Sequence, residues 1–138
     1  VGDFILRRKD GLFAYQLAVV ADDAFQHINH IVRGYDLLDS TPRQIYIQRI
    51  LEFPTPGYAH IPVVTNEQGQ KLSKQHFAEP VDTRNGSRQV ILALKFLGQQ
   101  PPDSLKDSKL KTILEWAQES WDIQAVPKLA NMPLCSEP

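Results

Sequence analysis

The sequence predicts an α/β fold with a parallel sheet, and two observations carry that expectation. Short β-type runs at His30 to Arg33 and His60 to Val64 are separated by a segment with helical spacing. A strand, a crossover helix and a second strand are the unit from which parallel sheets are built. From residue 81 onward the pattern changes to two amphipathic helical segments, so a small helical region is expected to follow the α/β part. The expected division is 1–80 and 81–138.

In chain order, Asp3 to Arg8 and Leu12 to Tyr15 flank an Asp10-Gly11 turn and read as a hairpin. Gln16 to Phe25 suits a buried strand or a helix, and a short helix ending near Gln26 is the reading adopted. His30 to Arg33 reads as a buried strand stopped by Gly34. Asp36-Leu37-Leu38 opens a turn, and Thr41-Pro42 reads as a helix cap followed by proline at the first helical position. Ile45, Tyr46, Ile50 and Leu51 supply the apolar spacing of that helix through Glu52, and Pro54 and Pro56 stop it. His60 to Val64 is the next strand. Ser87–Leu97 carries Val90, Leu94 and Leu97 on one face, with Gly98 placed to end it. Ser108–Trp121 carries Leu110, Ile113, Leu114 and Ala117. Ala125 to Pro138 reads as an extended tail.

Composition excludes several classes. A formal net charge of -1 leaves no global basic signature, so any nucleic-acid surface is local. The lone cysteine, Cys135, rules out a disulfide or a multi-cysteine zinc site within this chain. It fits a reducing compartment, and no run of apolar residues is long enough for a membrane-spanning helix. A cytoplasmic setting without a membrane is the expectation. The chain starts at Val1 on the approach to a strand, which reads as the latter part of a longer protein.

One stretch stands out chemically. Lys71-Leu72-Ser73-Lys74-Gln75 follows a strand and a polar turn. Lysines are compact charges suited to phosphate oxygens, and a serine hydroxyl adds a donor. Such a loop can stabilise charge on a triphosphate during attack at its α-phosphorus. By itself the pattern is more often that of a solvated loop.

Several separate stretches agree on more. Asp3 to Gly11, Tyr15 to Ala24, Ile31 to Leu38 and Ser40 to Gln44, together with Lys71 to Gln75, resemble the glutamyl-type class I aminoacyl-tRNA synthetases. The resemblance is to the second half of their Rossmann-like catalytic domain. Within the family, the chain resembles the shortened paralogues that act on tRNA(Asp). Gln75 stands where full-length synthetases usually have arginine, and Asp36 to Gln44 reads as the paralogue's version of that segment. The stretch after Gln75 is too short for a large anticodon-binding region, and Trp116, Trp121 and Val126-Pro127 resemble the paralogue's ending.

The resemblance implies roles for named residues. Lys74 meets the ATP phosphates and is the residue assigned to catalysis. Lys71, Leu72, Ser73 and Gln75 complete the ATP-binding loop. Tyr15 and Arg33 hold the substrate glutamate, and Gly34 and Asp36 lie near the ATP ribose and glutamate. Rival readings are a strand-end core aromatic for Tyr15, a surface ion pair with Asp36 for Arg33, and a plain turn for Gly34 and Asp36. Asp22 and Asp23 read as carboxylates that cap or solvate a helix end, and His27, His30, His60 and His76 as structural or surface residues. Arg84, Arg88, Lys106, Lys109 and Lys111 read as a solvated helix face, with contact to a tRNA backbone as the alternative.

The implied activity of the whole protein is a ligase reaction. Glutamate attacks the α-phosphorus of ATP, with Mg2+ accompanying the nucleotide, and the glutamyl group passes to queuosine at the wobble position of tRNA(Asp). The protein is expected to act as a monomer. The family's HIGH-like motif, its other amino-acid-binding arginine and glutamate, and its usual cysteine-based zinc site belong to the first half of the domain and have no counterpart here. This segment alone is therefore expected to be inactive and marginally folded. Two other readings are a segment of an ordinary glutamyl-tRNA synthetase charging tRNA(Glu), and a non-catalytic tRNA- or protein-binding module.

Overall fold

Residues 2–66, 68–72 and 83–133 are described by the computed structural model. They belong to two compact units, Val1–His60 and Ile61–Pro138.

The first unit opens on the expected turn. The Gly11 N–H donates to the Arg8 carbonyl at 3.0 Å, the Arg8 N–H donates to the Leu12 carbonyl at 2.7 Å, and an antiparallel bridge joins Arg7 to Phe13. Helix α1 then spans Tyr15–Phe25, so Tyr15 begins a helix instead of ending a strand. Strand β1 is His30–Gly34, a 3-10 turn covers Tyr35–Ser40, helix α2 is Thr41–Ile50 and strand β2 is Gly57–Ile61. β1 and β2 are hydrogen-bonded neighbours. Their starts meet where the Gly57 N–H donates to the Asn29 carbonyl, and their ends meet where Arg33 reaches His60. The strands therefore run in the same direction with α2 as the crossover, the unit that the alternating pattern predicts.

Three details differ from expectation. β1 alternates exposed and half-buried residues and is not fully buried. Thr41 does not cap α2: the N-cap position is Ser40, which makes no side-chain cap bond, and the Thr41 hydroxyl is used elsewhere. The buried face of α2 is Thr41, Gln44, Ile47 and Gln48, whereas Tyr46 and Ile50 are exposed. α2 thus presents mainly polar groups to the interior, and each needs a partner there.

Helices α1 and α2 end alike. The His27 and Ile28 N–H groups donate to the Ala24 and Asp23 carbonyls, and the Glu52 and Phe53 N–H groups donate to those of Arg49 and Gln48. This double closure needs one left-handed residue, and His27 and Glu52 supply it at φ 56° without being glycine.

In the second unit, strand β3 is Val63–Thr65, helix α3 is Gly86–Phe96, helix α4 is Leu110–Ser120 and strand β4 is Asn131–Pro133. The expected single strand from His60 to Val64 is broken between β2 and β3 at Pro62, which has no N–H to give a ladder. β3 and β4 are parallel, with Val63, Val64 and Thr65 opposite Asn131, Met132 and Pro133. A 3-10 turn at Ile123–Ala125 leads into the tail, whose described part ends in this extended and paired strand. Ile91, Leu94, Leu105 and Ile113 form the core between α3 and α4, with Val90, Trp116 and Ala117 packed against it. Leu110 and Leu114, expected on that stripe, stay substantially exposed. Gly98 ends α3 at φ +75°, and a Cβ there would lie 2.1 Å from the Ala125 carbonyl oxygen. Beside it, the Gln99 amide accepts from the Asp122 N–H at 2.9 Å and donates to the Leu97 and Asp122 carbonyls at 3.0 Å.

Candidate functional site

The polar face of α2 lies over the side of the sheet that carries Arg33, Tyr58 and His60. Residues two apart on a strand point the same way, so β2 presents Tyr58 and His60 together. Their rings are nearly parallel, 7° apart in plane, with centroids 6.4 Å apart. From β1 the Arg33 guanidinium lies over the Tyr58 ring, 5.2 Å from its centroid. Arg33 Nη2 donates to Thr41 Oγ1 at 2.7 Å, and Arg33 Nε reaches His60 Nε2 at 3.4 Å. Thr41 Oγ1 is also 3.0 Å from His60 Nε2. The planar fork is thus fixed by a hydroxyl, an imidazole and an aromatic face, and two of its N–H groups are committed to the protein.

Two flanking sets support this cluster. Gln48 donates to the Tyr58 hydroxyl at 2.9 Å. Gln44 donates to Gln16 at 2.9 Å, and Gln16 donates to Ser40 at 3.0 Å, which ties the first turn of α1 to α2. Tyr15 precedes Gln16 and is 53% exposed, at the surface where α1 begins.

Charge in the site follows burial. His60 is pushed below its ordinary 6.5 by burial and then by the neighbouring Arg33. Asp23, in the last turn of α1, is pushed above its ordinary 3.8 by burial, Arg33 opposing this and Asp22 adding to it. Asp23 thus feels the charge of Arg33 from the end of α1.

The other sequence-expected residues are placed as follows. Gly34 is ordinary extended backbone, φ −63° and ψ 148°, at the start of the 3-10 turn that contains Asp36. No left-handed conformation calls for glycine there. In the second unit Asn66 and Gln70 close a tight turn, the Gln70 N–H donating to Asn66 Oδ1 at 2.8 Å. The turn brings Lys71 back beside Thr65, and the Leu72 N–H donates to the Val64 carbonyl at 3.0 Å. Lys71 and Leu72 are exposed, as expected of a loop after a strand. Ser73, Lys74 and Gln75, with the catalytic assignment at Lys74, lie outside the described residues, as does His76. Of the five basic residues, Arg84, Arg88 and Lys106 share a concave surface of about 350 Å³ at the start of α3 with Gly86, Ser87 and Leu110. Lys106 also pairs with Asp103 at 2.8 Å, and Lys111, away from that surface, pairs with Glu115 at 3.7 Å. No cluster of metal-ligating side chains occurs among the described residues. A separate cavity of about 610 Å³ lies in the first unit among Val20, Asp23, Phe25, Gln48 and Phe53, and neither Tyr15 nor Arg33 lines it.

Sequence reading missed Thr41, Tyr58 and His60 as partners of Arg33. The available signals were the helical recurrence of Thr41, Gln44 and Gln48 and the Tyr58-Ala59-His60 alternation, two polar faces that suit one another.

The sequence model of the family described as tRNA synthetases class I (E and Q), catalytic domain, matches residues 1–98. The chain belongs to this family. It is 55% identical over 127 residues to the glutamyl-Q tRNA(Asp) synthetase of Thiobacillus denitrificans, covering 92% of the chain and 42% of that protein. To the proteins of the same name from Dechloromonas aromatica and Ectopseudomonas mendocina it is 52% and 47% identical, covering 93% of the chain in each case and 42% and 44% of theirs. The chain thus spans less than half the length of these curated relatives. The crystal structure of a glutamate tRNA ligase from Elizabethkingia meningosepticum matches it with a TM-score of 0.67 at 23% identity, over 98% of this chain and 30% of the other. The glutamate-tRNA synthetase of Elizabethkingia anophelis gives the same score at 23% identity, over 99% and 31%. The fold is that of a class I tRNA synthetase catalytic domain, of which this chain carries an α/β portion.

Proposed function

We propose that the whole protein containing this chain activates glutamate with ATP and transfers it to queuosine at the wobble position of tRNA(Asp). The observation that carries the reading is the Arg33 fork, fixed at the end of β1 in a chain 55% identical to a glutamyl-Q tRNA(Asp) synthetase. The carboxyl end of a strand is where open α/β sheets bind ligands. An arginine with free N–H groups, fixed from behind, suits bidentate recognition of a carboxylate.

In the first step a glutamate carboxylate oxygen attacks the α-phosphorus of ATP, and pyrophosphate leaves. Arg33 and Tyr15 hold the amino acid, with Gly34 and Asp36 near it and the ribose. Lys71 and Ser73 support the nucleotide, and Lys74 offsets the negative charge that builds on the phosphates, which Mg2+ accompanies. In the second step a hydroxyl of the cyclopentenediol attacks the activated carbonyl. It loses its proton, AMP leaves, and an ester remains on the tRNA. Arg84, Arg88 and Lys106 offer phosphate contacts for the tRNA, because they converge on one concave surface. The protein works as a cytoplasmic monomer, and residues 1–80 belong to the catalytic domain while 81–138 form a helical stem-contact region. This chain alone lacks half of the pocket and is inactive.

The test is glutamate-dependent ATP–pyrophosphate exchange by the whole protein. Arg33→Ala raises the KM for glutamate at least tenfold, the order of one hydrogen bond to a charged group. Lys74→Ala lowers kcat. Full exchange activity in both variants sinks the residue assignments.

A further inference from the structure

His60 was read from sequence as a structural or surface histidine, and the hydrogen-bond geometry gives it a narrower task. Thr41 Oγ1 accepts from Arg33 Nη2, which leaves the hydroxyl its own proton to donate. The acceptor 3.0 Å away is His60 Nε2. The same nitrogen faces Arg33 Nε–H at 3.4 Å. A nitrogen that faces two donors must present its lone pair, so His60 is neutral with its proton on Nδ1.

We propose that His60 is a positioning residue for glutamate recognition, holding the Arg33 fork through an unprotonated Nε2 and releasing it when that nitrogen takes up a proton. The proposal rests on the reading of Arg33 as the group that binds the substrate carboxylate. Protonation would turn an N–H toward both Arg33 Nε–H and the Thr41 hydroxyl, and would set a second positive charge against the guanidinium. One bond is lost, and like charges replace it.

The surroundings agree. Burial and Arg33 both disfavour the charged imidazole, so His60 is neutral at neutral pH. The groups around it are Arg33 from β1, Thr41 from α2 and Tyr58 from β2 itself. Asp23 from α1 acts on Arg33, with Asp22 beside it on the same helix. Neither carboxylate makes a hydrogen bond or ion pair with His60 that would favour its charged form.

The experiment uses the whole protein and reads the KM for glutamate and for ATP, and kcat, in pyrophosphate exchange across pH 5.5 to 8. His60→Phe keeps a flat ring beside Tyr58 and removes the acceptor. His60→Gln keeps an acceptor oxygen at a similar reach and cannot titrate. At pH 7.5, His60→Phe raises the glutamate KM about tenfold, as expected for loss of one bond to a charged group, with kcat and the ATP KM within about twofold. His60→Gln recovers most of the loss. The wild type loses glutamate affinity as the pH falls below 6.5 and His60→Gln does not. An unchanged glutamate KM in His60→Phe overturns the proposal, as does the same acid dependence in His60→Gln, which decides the matter if the phenylalanine variant does not fold. Arg33→Ala separates the two levels. If it leaves glutamate use intact, the reading of Arg33 fails. If it abolishes glutamate use while His60→Phe is normal, only the positioning role fails.

Discussion

Replacing Thr41 with valine removes one oxygen and leaves a side chain of nearly the same shape. Thr41 is 9% exposed in the first turn of α2, and its hydroxyl makes two bonds, 2.7 Å from Arg33 Nη2 and 3.0 Å from His60 Nε2. The first is short and charge-assisted, worth about 1.5–3 kcal/mol. The second is neutral and contributes about 1 kcal/mol. Arg33 keeps the Tyr58 ring and its longer bond to His60, so the fork loses its tightest restraint without becoming free. The low end of the range applies, about 1.5 kcal/mol, or roughly tenfold in glutamate affinity. In pyrophosphate exchange by the whole protein, Thr41→Val should raise the glutamate KM about tenfold and leave the ATP KM unchanged. Thr41→Ser, which keeps the hydroxyl, should stay within about twofold of wild type. A valine variant that melts like the wild type and binds glutamate equally well would refute the claim that Thr41 fixes Arg33.

Five further outcomes rest on other parts of the structure. Ile113→Ala, at a fully buried core position, should destabilise the protein by about 3 kcal/mol in urea denaturation, and less than about 1 kcal/mol would contradict the packing of α3 against α4. Gly98→Ala should cost more than about 1 kcal/mol, because its φ of +75° is unfavourable for alanine and the Ala125 carbonyl stands where the methyl would go; Glu52→Gly, which relieves a left-handed non-glycine, should instead gain about 0.5–1 kcal/mol. His60 titrates below 6.5 when folded, so the unfolded chain takes up its proton first; its contribution to stability is complete above pH 6.5 and falls as the pH drops toward the folded value, and denaturation of wild type against His60→Gln should diverge in that window. Arg84→Ala with Arg88→Ala should weaken tRNA binding and lower its salt dependence by about one unit per lost phosphate contact, leaving pyrophosphate exchange unchanged.

What the sequence disclosed depended on whether the information was local. The Asp10-Gly11 turn and the Gly98 stop were legible because each is written in adjacent residues, whereas the apolar run after Tyr15 suited a buried strand as well as the helix that it forms. The ends of α1 and α2 fall within two residues of their expected places, although His27 and Glu52 take the left-handed position that glycine usually marks. The face of α2 was misjudged for a tertiary reason: burial follows what lies opposite, and opposite α2 lie Arg33, Tyr58 and His60, so glutamines and a threonine point inward. β4 was missed because its partner is more than sixty residues earlier and parallel pairing leaves no turn signal between the strands. Arg33 was singled out through its family context, whereas its neighbours Thr41 and His60 carry no motif and emerged only when the strand and helix came together.

The most direct measurement is the transfer of labelled glutamate by the whole protein to tRNA(Asp) that carries queuosine, beside tRNA(Asp) without it and tRNA(Glu). The account predicts label on the queuosine-bearing tRNA alone, lost in Lys74→Ala and strongly reduced in Arg33→Ala at limiting glutamate. Label on tRNA(Glu) alone, or undiminished transfer by both variants, would contradict it.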